Sequence, residues 1–265
     1  MLEKMIIGRY IPGNSIVHRM DPRSKLLFVF LFIIAVFLAN NVASYAVLLG
    51  FTVFVIALAR IRPYFLVNGL KPVIFLIAFT LLLHLFFTRE GAILFEWKFI
   101  KIYEEGLRMG IFISIRFLVL VLITTILTLT TSPISITDGL ETLLNPFKKL
   151  KLPVHELALM MSISLRFIPT LMDETDKILK AQLARGSDLS TGSIKERVQA
   201  VIPLLVPLFV SAFKRAEDLA VAMEVRGYRG GEGRTRFRQL SWQTRDTGVL
   251  IAFVILVAVL AWVRK

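Results

Sequence analysis

Apolar residues gather in five long runs, separated by short polar breaks and by one long segment of mixed character. The runs cover 25–39, 42–59, 69–87, 107–131 and 247–263. A helix needs roughly 20 mostly apolar residues to cross the hydrocarbon of a bilayer, so each run predicts a membrane span, the first being the shortest. Asp21 suits an N-cap and Pro22 the first helical position, which marks where the first span begins. Pro72 is placed in the same way at the start of the third. The first run follows a basic stretch and ends near small residues, as a signal peptide does. However, residues 1–24 precede it and a second apolar run follows at once, so it reads as a retained helix.

Lys and Arg near the ends of the spans set the orientation, because basic residues collect on the cytoplasmic side. Arg19, Arg23 and Lys25 precede the first span, and the Asn40-Asn41 turn after it carries no charge. Arg60, Arg62 and Lys71 lie between the second and third spans. The next connection balances Arg89, Lys98 and Lys101 against Glu90, Glu96, Glu104 and Glu105. After the fourth span come Lys148, Lys149 and Lys151, then Arg234, Arg236, Arg238 and Arg245. The N-terminus is therefore expected in the cytoplasm and the C-terminus outside, with Arg264 and Lys265 a mild exception. The division that follows is a cytoplasmic segment 1–24, spans over 25–131, a cytoplasmic region 132–245 and a last span 246–265.

The region 132–245 holds two further apolar stretches, 157–165 and 198–213. Glu156 and Arg166 bound the first, Pro203 and Pro207 interrupt the second, and the loop between them carries Lys177, Lys180, Arg185, Lys195 and Arg197. That loop is too basic for the outer side, so the pair is predicted to form helices at or below the membrane surface. Leu171, Ile178, Leu179 and Leu183 share one face, with Asp173, Asp176, Lys177 and Lys180 opposite. Phe209, Ala212, Phe213, Ala216, Leu219, Ala220 and Met223 follow the three-four spacing of a helix stripe, with Lys214, Arg215, Glu217 and Asp218 on the other side. Ala212, Ala216 and Ala220 would let another helix cross closely; an ordinary helix–helix core explains them equally well.

Both stretches end alike. The first closes on Ala184-Arg185-Gly186 and the second on Val225-Arg226-Gly227. Counted from Pro153 and Ile194, each would extend about 50 Å as a helix. A glycine after the last turn supplies the left-handed cap that stops a helix. Arginine before it puts a planar five-donor fork at the tip, suited to carboxylates of a partner, or simply complements the helix dipole.

Composition narrows the function. The 265 residues are 56% hydrophobic, include 21 Phe, and still carry a net charge of +13; mean hydropathy is +0.71. Long apolar runs with basic connections describe a membrane protein and not a nucleic-acid binder. Cysteine is absent, which excludes disulfides and thiolate metal sites, and His18, His84 and His155 are too scattered to form a metal site. No segment reads Gly-x-x-x-x-Gly-Lys-Ser/Thr, so the chain has no phosphate loop of its own.

Several stretches resemble one known family, the transmembrane T component of energy-coupling factor (ECF) transporters, related to the CbiQ subunit of cobalt importers. They are Tyr10-Ile11-Pro12-Gly13-Asn14-Ser15 with His18 to Lys25; Thr130-Thr131-Ser132-Pro133 with Leu143-Leu144-Asn145-Pro146; Arg166-Phe167-Ile168-Pro169; and the two Arg-Gly motifs, the second continuing into Tyr228. The resemblance covers nearly the whole chain. It implies an all-α polytopic protein with about five transmembrane helices and a cytoplasmic coupling region of long amphipathic helices. It also implies a membrane scaffold that joins two ABC-type ATPase subunits to a small substrate-binding membrane subunit for a vitamin or a transition-metal ion. ATP would be bound by the partners, leaving this chain without a cofactor or catalytic residue. Ala184, Arg185 and Gly186, and Val225, Arg226 and Gly227, are the implied ATPase contacts, Val225 standing where the motif has alanine.

Two other classes compete. A self-contained secondary transporter or channel would show internal repeats and ionisable residues at the membrane midplane. The spans show no repeat, and His84 and Arg116 are the ionisable candidates, Arg116 with a carboxylate as one possible partner. Thr124, Thr125, Thr128, Thr130 and Thr131 would either line a polar path or bond their own helix. A membrane enzyme would need a catalytic cluster; the densest acidic group, Asp173, Glu174 and Asp176, fits a solvated helix face better.

Overall fold

The computed structural model describes residues 10–97, 100–151, 153–186, 193–230 and 239–264. Residues 1–9 of the expected N-terminal segment 1–24, and Lys98, Arg234, Arg236, Arg238 and Lys265, lie outside the described residues. The chain divides into two compact units: Gly8–Thr142 with Leu240–Lys265, and Leu143–Gln239.

The first unit holds the apolar helices α1 (Pro22–Val36), α2 (Val42–Ala59), α3 (Pro63–Phe87), α4 (Glu104–Thr130) and α8 (Thr244–Val263), with the short α5 (Pro133–Leu144) after α4. Helix α1 starts as its sequence dictates: Pro22 occupies the first turn, and the Asp21 carboxylate caps it by accepting from the Arg23 amide. Helix α3 starts earlier than expected. Pro63, not Pro72, fills the first turn, and Pro72 sits inside the helix. The apolar side chains of these helices are spread around the axis, as befits a helix facing lipid and neighbours at once. A two-stranded hairpin, β1 (Ile93–Trp97) and β2 (Ile100–Tyr103), joins α3 to α4; the all-helical expectation did not include it.

The core of this unit is an aromatic cluster where α1, α2 and α8 meet. Phe28 lies 5.6–6.0 Å, ring to ring, from Phe32, Phe51 and Phe253. Leu48, Val36, Ile123 and Leu260 close around it. Helix α3 packs chiefly on α4. Gly69 and Gly106 make that approach possible: a Cβ at either would stand 2.8 Å from Thr125 or from the His84 carbonyl. The opposite face of α3 leaves Phe75, Phe79, Phe86 and Phe87 exposed.

The second unit contains a 3-10 turn (Asn145–Leu150) and two long helices, α6 (Val154–Ala184) and α7 (Ile194–Val225). In both, the apolar side chains concentrate on one face. Counting by length and composition alone, six described helices could cross a membrane: α2, α3, α4, α6, α7 and α8. The protein is thus a polytopic all-α membrane protein, but the roster differs from the five expected spans. With 15 residues, α1 falls short, while α6 and α7 qualify as the least apolar of the six.

Candidate functional site

Helices α6 and α7 run antiparallel where they pack. Leu159 and Ile163 of α6 share a hollow with Leu219, Met223 and Arg226 of α7, and Glu174 reaches back to Ser211 and Arg215. The C-terminal tip of α7 therefore lies beside the early part of α6, while the tip of α6 continues past Glu174. Arg185 lies 11 residues past Glu174 and Arg226 lies 11 past Arg215, so about 33 Å of helix separates the tips. The two Arg-Gly tips point away from each other at opposite ends of the pair.

Each tip is built alike. Gly186 and Gly227 have φ of 86° and 73°, the left-handed geometry that only glycine adopts without strain. At the second tip the Gly227 amide donates to the Glu224 carbonyl and the Tyr228 amide to Met223, the reciprocal pair of a Schellman cap. At the first, the Gly186 amide donates to Leu183. Ala184, Arg185, Gly186, Val225, Arg226 and Gly227 are all exposed, Val225 at 83%. Among the described residues neither Arg185 nor Arg226 forms a side-chain hydrogen bond or ion pair. Two guanidinium forks are held out on rigid, capped stems with their donors unused.

Between the tips, Ala212, Ala216 and Ala220 face Ile163, Phe167 and Leu171 across a shallow groove of about 450 Å³. Their missing side chains open the groove, and Ala216 and Ala220 remain exposed. Two details differ from expectation. Arg215 is on the α6 side of its helix, and Glu174 is no mere solvated face residue. Glu174 accepts from the Ser211 hydroxyl at 2.6 Å and from Arg215 Nη2 at 3.0 Å, pinning α6 to α7. Asp176 pairs with Lys180 along its own helix.

The first unit carries a second constellation, at the end where α1 and α8 begin. Asp246 is fully buried. Its Oδ1 accepts from the Asp21 amide (2.9 Å) and the Ser24 hydroxyl (2.6 Å), and its Oδ2 from the Gln243 amide (2.8 Å). Lys25, 4% exposed, donates from Nζ to the Thr130 carbonyl and Thr131 Oγ1, the open end of α4. One step upstream, His18 Nε2 donates to the Ile11 carbonyl (3.1 Å), which leaves Nδ1 to accept from Ser15 Oγ (2.6 Å). Burial pushes the His18 imidazole below its ordinary pKa, against the raising effect of the Ile11 carbonyl. The Ile11 amide in turn donates to Leu129. The stretch Ile11 to Lys25 is thus a knot that ties α1, α4 and α8 together. A lysine in the first turn of an apolar run was its one visible sign; the partnership with Asp246 was not.

The remaining candidates resolve simply. Arg116 meets the Tyr45 hydroxyl (2.8 Å), the Ala39 carbonyl (3.4 Å) and the face of Phe37, not a carboxylate. His84 contacts Thr88. Thr124, Thr128 and Thr130 donate to carbonyls of their own helix, which accounts for them without a polar path.

A family model described as CbiQ, cobalt transport protein, matches residues 13–237. The chain belongs to the CbiQ family. Within it, the chain is 64% identical over 264 residues to the energy-coupling factor transporter transmembrane protein EcfT of Bacillus subtilis, covering all of both chains. EcfT of Macrococcus caseolyticus is 57% identical, again over the whole of both chains. EcfT of Exiguobacterium sibiricum is 59% identical over 98% of this chain and 99% of its own. As a CbiQ-family member of this kind, the chain is the energy-coupling transmembrane component of an ECF-type transporter and a multi-pass bacterial membrane protein. The resemblance on the Arg-Gly motifs led to the same family.

Proposed function

We propose that the chain is the scaffold on which two ABC-type ATPase subunits and a small substrate-binding membrane subunit assemble, importing a vitamin or a metal ion. Arg185 and Arg226 each enter a groove on a separate ATPase and pair with carboxylates there. The observation that carries this reading is the matched pair of exposed, glycine-capped arginines at opposite ends of α6 and α7, about 33 Å apart along the helices. The groove at Ala212, Ala216 and Ala220 receives the substrate-binding subunit. ATP is bound and hydrolysed by the partners. The one-sided apolar faces of α6 and α7 support their lying at the cytoplasmic surface, with the N-terminus inside and the C-terminus outside.

The test is assembly with both ATPases and the substrate-binding subunit. Truncating one buried, paired Arg strands its carboxylates, which costs on the order of 2–5 kcal/mol, or about 30-fold or more in affinity. Arg185→Ala with Arg226→Ala together should abolish assembly or coupled transport, each single change should weaken one ATPase contact, and lysine should rescue poorly. Normal transport by the double variant would reduce both arginines to helix-dipole partners. For orientation, Asn41→Cys should label from outside in intact cells and Ser193→Cys should not. Outside labelling of Ser193→Cys would make α6 and α7 spans.

A further inference from the structure

The membrane unit contains an apolar slot, about 340 Å³, that none of the roles above uses. Phe54, Val55 and Leu58 of α2 form one wall, Ile126 of α4 another, and Val17 and Val249 close it. Arg245 stands at its mouth. The slot lies at the end of the unit where α1 and α8 begin and α2 and α4 finish, since Lys25, Leu58, Thr130 and Arg245 all line it.

That end also carries Arg19, just before α1, and Arg60 and Arg62, just after α2. Together with Arg245 they make four exposed guanidinium groups. None forms a side-chain hydrogen bond or ion pair among the described residues. The acids close by are already committed: Asp21 to Arg23, and Asp246 to Ser24 and two backbone amides, while Asp138 and Glu141 of α5, which packs on Pro22 and Leu26 at Gly139, have partners too. Of the four, Arg245 lines the cleft itself, and Arg60 follows the lining Leu58 by two residues.

We propose that this slot holds one acyl chain of an anionic glycerophospholipid from the leaflet at that end, its phosphate held by Arg245 and Arg60. The cleft is more than twice the ~150 Å³ that suffices to take up benzene in an engineered apolar cavity. A phospholipid also answers both halves of the site at once, with an apolar tail for the walls and a fixed negative charge for the rim.

Native mass spectrometry of the full chain, released from nanodiscs of phosphatidylcholine with phosphatidylglycerol, tests this. One phosphatidylglycerol should survive delipidation on the wild type. Val55→Trp, which fills the slot, and Arg60→Gln with Arg245→Gln, which leaves the walls untouched, should each lower its occupancy at least tenfold. The surface pair guards against a slot variant that merely misfolds. Equal retention of phosphatidylcholine, no retained lipid, or retention unchanged by either variant would overturn the proposal. A lipid-free dimer would assign the slot to a second copy of the chain.

Discussion

Replacing Asp246 by alanine isolates the knot at the start of α1 and α8. The wild-type carboxylate is fully buried and satisfies three donors: the amides of Asp21 and Gln243 and the hydroxyl of Ser24. Alanine leaves the two amides without an acceptor. The Ser24 hydroxyl has a fallback, because the Asp21 carbonyl lies 2.9 Å away. The Asp21 amide is buried, so stranding it costs about 1–3 kcal/mol; Gln243 is exposed and its amide can turn to water, which adds little. Loss of the cap of α8 is part of that sum rather than an addition to it. Asparagine should cost less, since its carbonyl can keep the Asp21 and Ser24 contacts and only the Gln243 amide meets an NH2 group. Reversible denaturation of the purified protein in mixed micelles, followed by circular dichroism, measures both variants. A double-mutant cycle with Ser24→Ala should show coupling of about 0.5–3 kcal/mol. If Asp246→Ala lies within about 0.5 kcal/mol of wild type, the range of an ordinary surface change, the buried carboxylate is not what joins α1 to α8.

Two further outcomes follow from the tips and from His18. Gly227→Ala should cost about 1–2 kcal/mol through left-handed strain alone, because an added Cβ meets nothing within 4 Å; amide exchange at the end of α7 would read it, and unchanged protection of the Met223 to Tyr228 turn would refute it. The His18 imidazole has a lowered pKa in the fold, so the neutral form is the native one. Its contribution is fully present above the unfolded value of 6.5, declines as pH falls below that, and is gone once the folded pKa is passed. Melting temperatures between pH 5 and 8 should fall on acidification, and His18→Gln should flatten that dependence.

The membrane helices were legible because their signal is local. A run that is apolar on every side declares itself, and Val42–Ala59 begins and ends where the residue pattern places it; the one-sided Ile194–Val225 does so too, through its three-four spacing and its closing glycine. The caps were legible too, since Asp21-Pro22 and Arg226-Gly227 act within one turn. Pro72 misled because proline marks a helix start only when no better one precedes it, and Pro63 does. The hairpin at Ile93–Tyr103 was hidden by its brevity and mixed charges. What the pattern could not carry is long-range pairing: Asp246 meets Asp21 across 225 positions, and Arg215 meets Glu174 across 41. A charge read on one helix looks solvated until its partner helix arrives. Arg116 made the converse point. A lone cation among apolar neighbours suggested a carboxylate, and a tyrosine hydroxyl with an aromatic face serves instead.

The Glu174 pin fixes more than a contact. Arg185 lies 11 residues beyond Glu174, and Arg226 lies 11 beyond Arg215. Measured along the two rods, the fulcrum is therefore about 16 Å from either handle. Equal arms convert equal travel into equal rotation, so a 3 Å pull at either handle turns its rod by about 10°. Equal pulls on the alanine-flanked tip and on the valine-flanked one would therefore turn the two rods by the same angle about the groove between them.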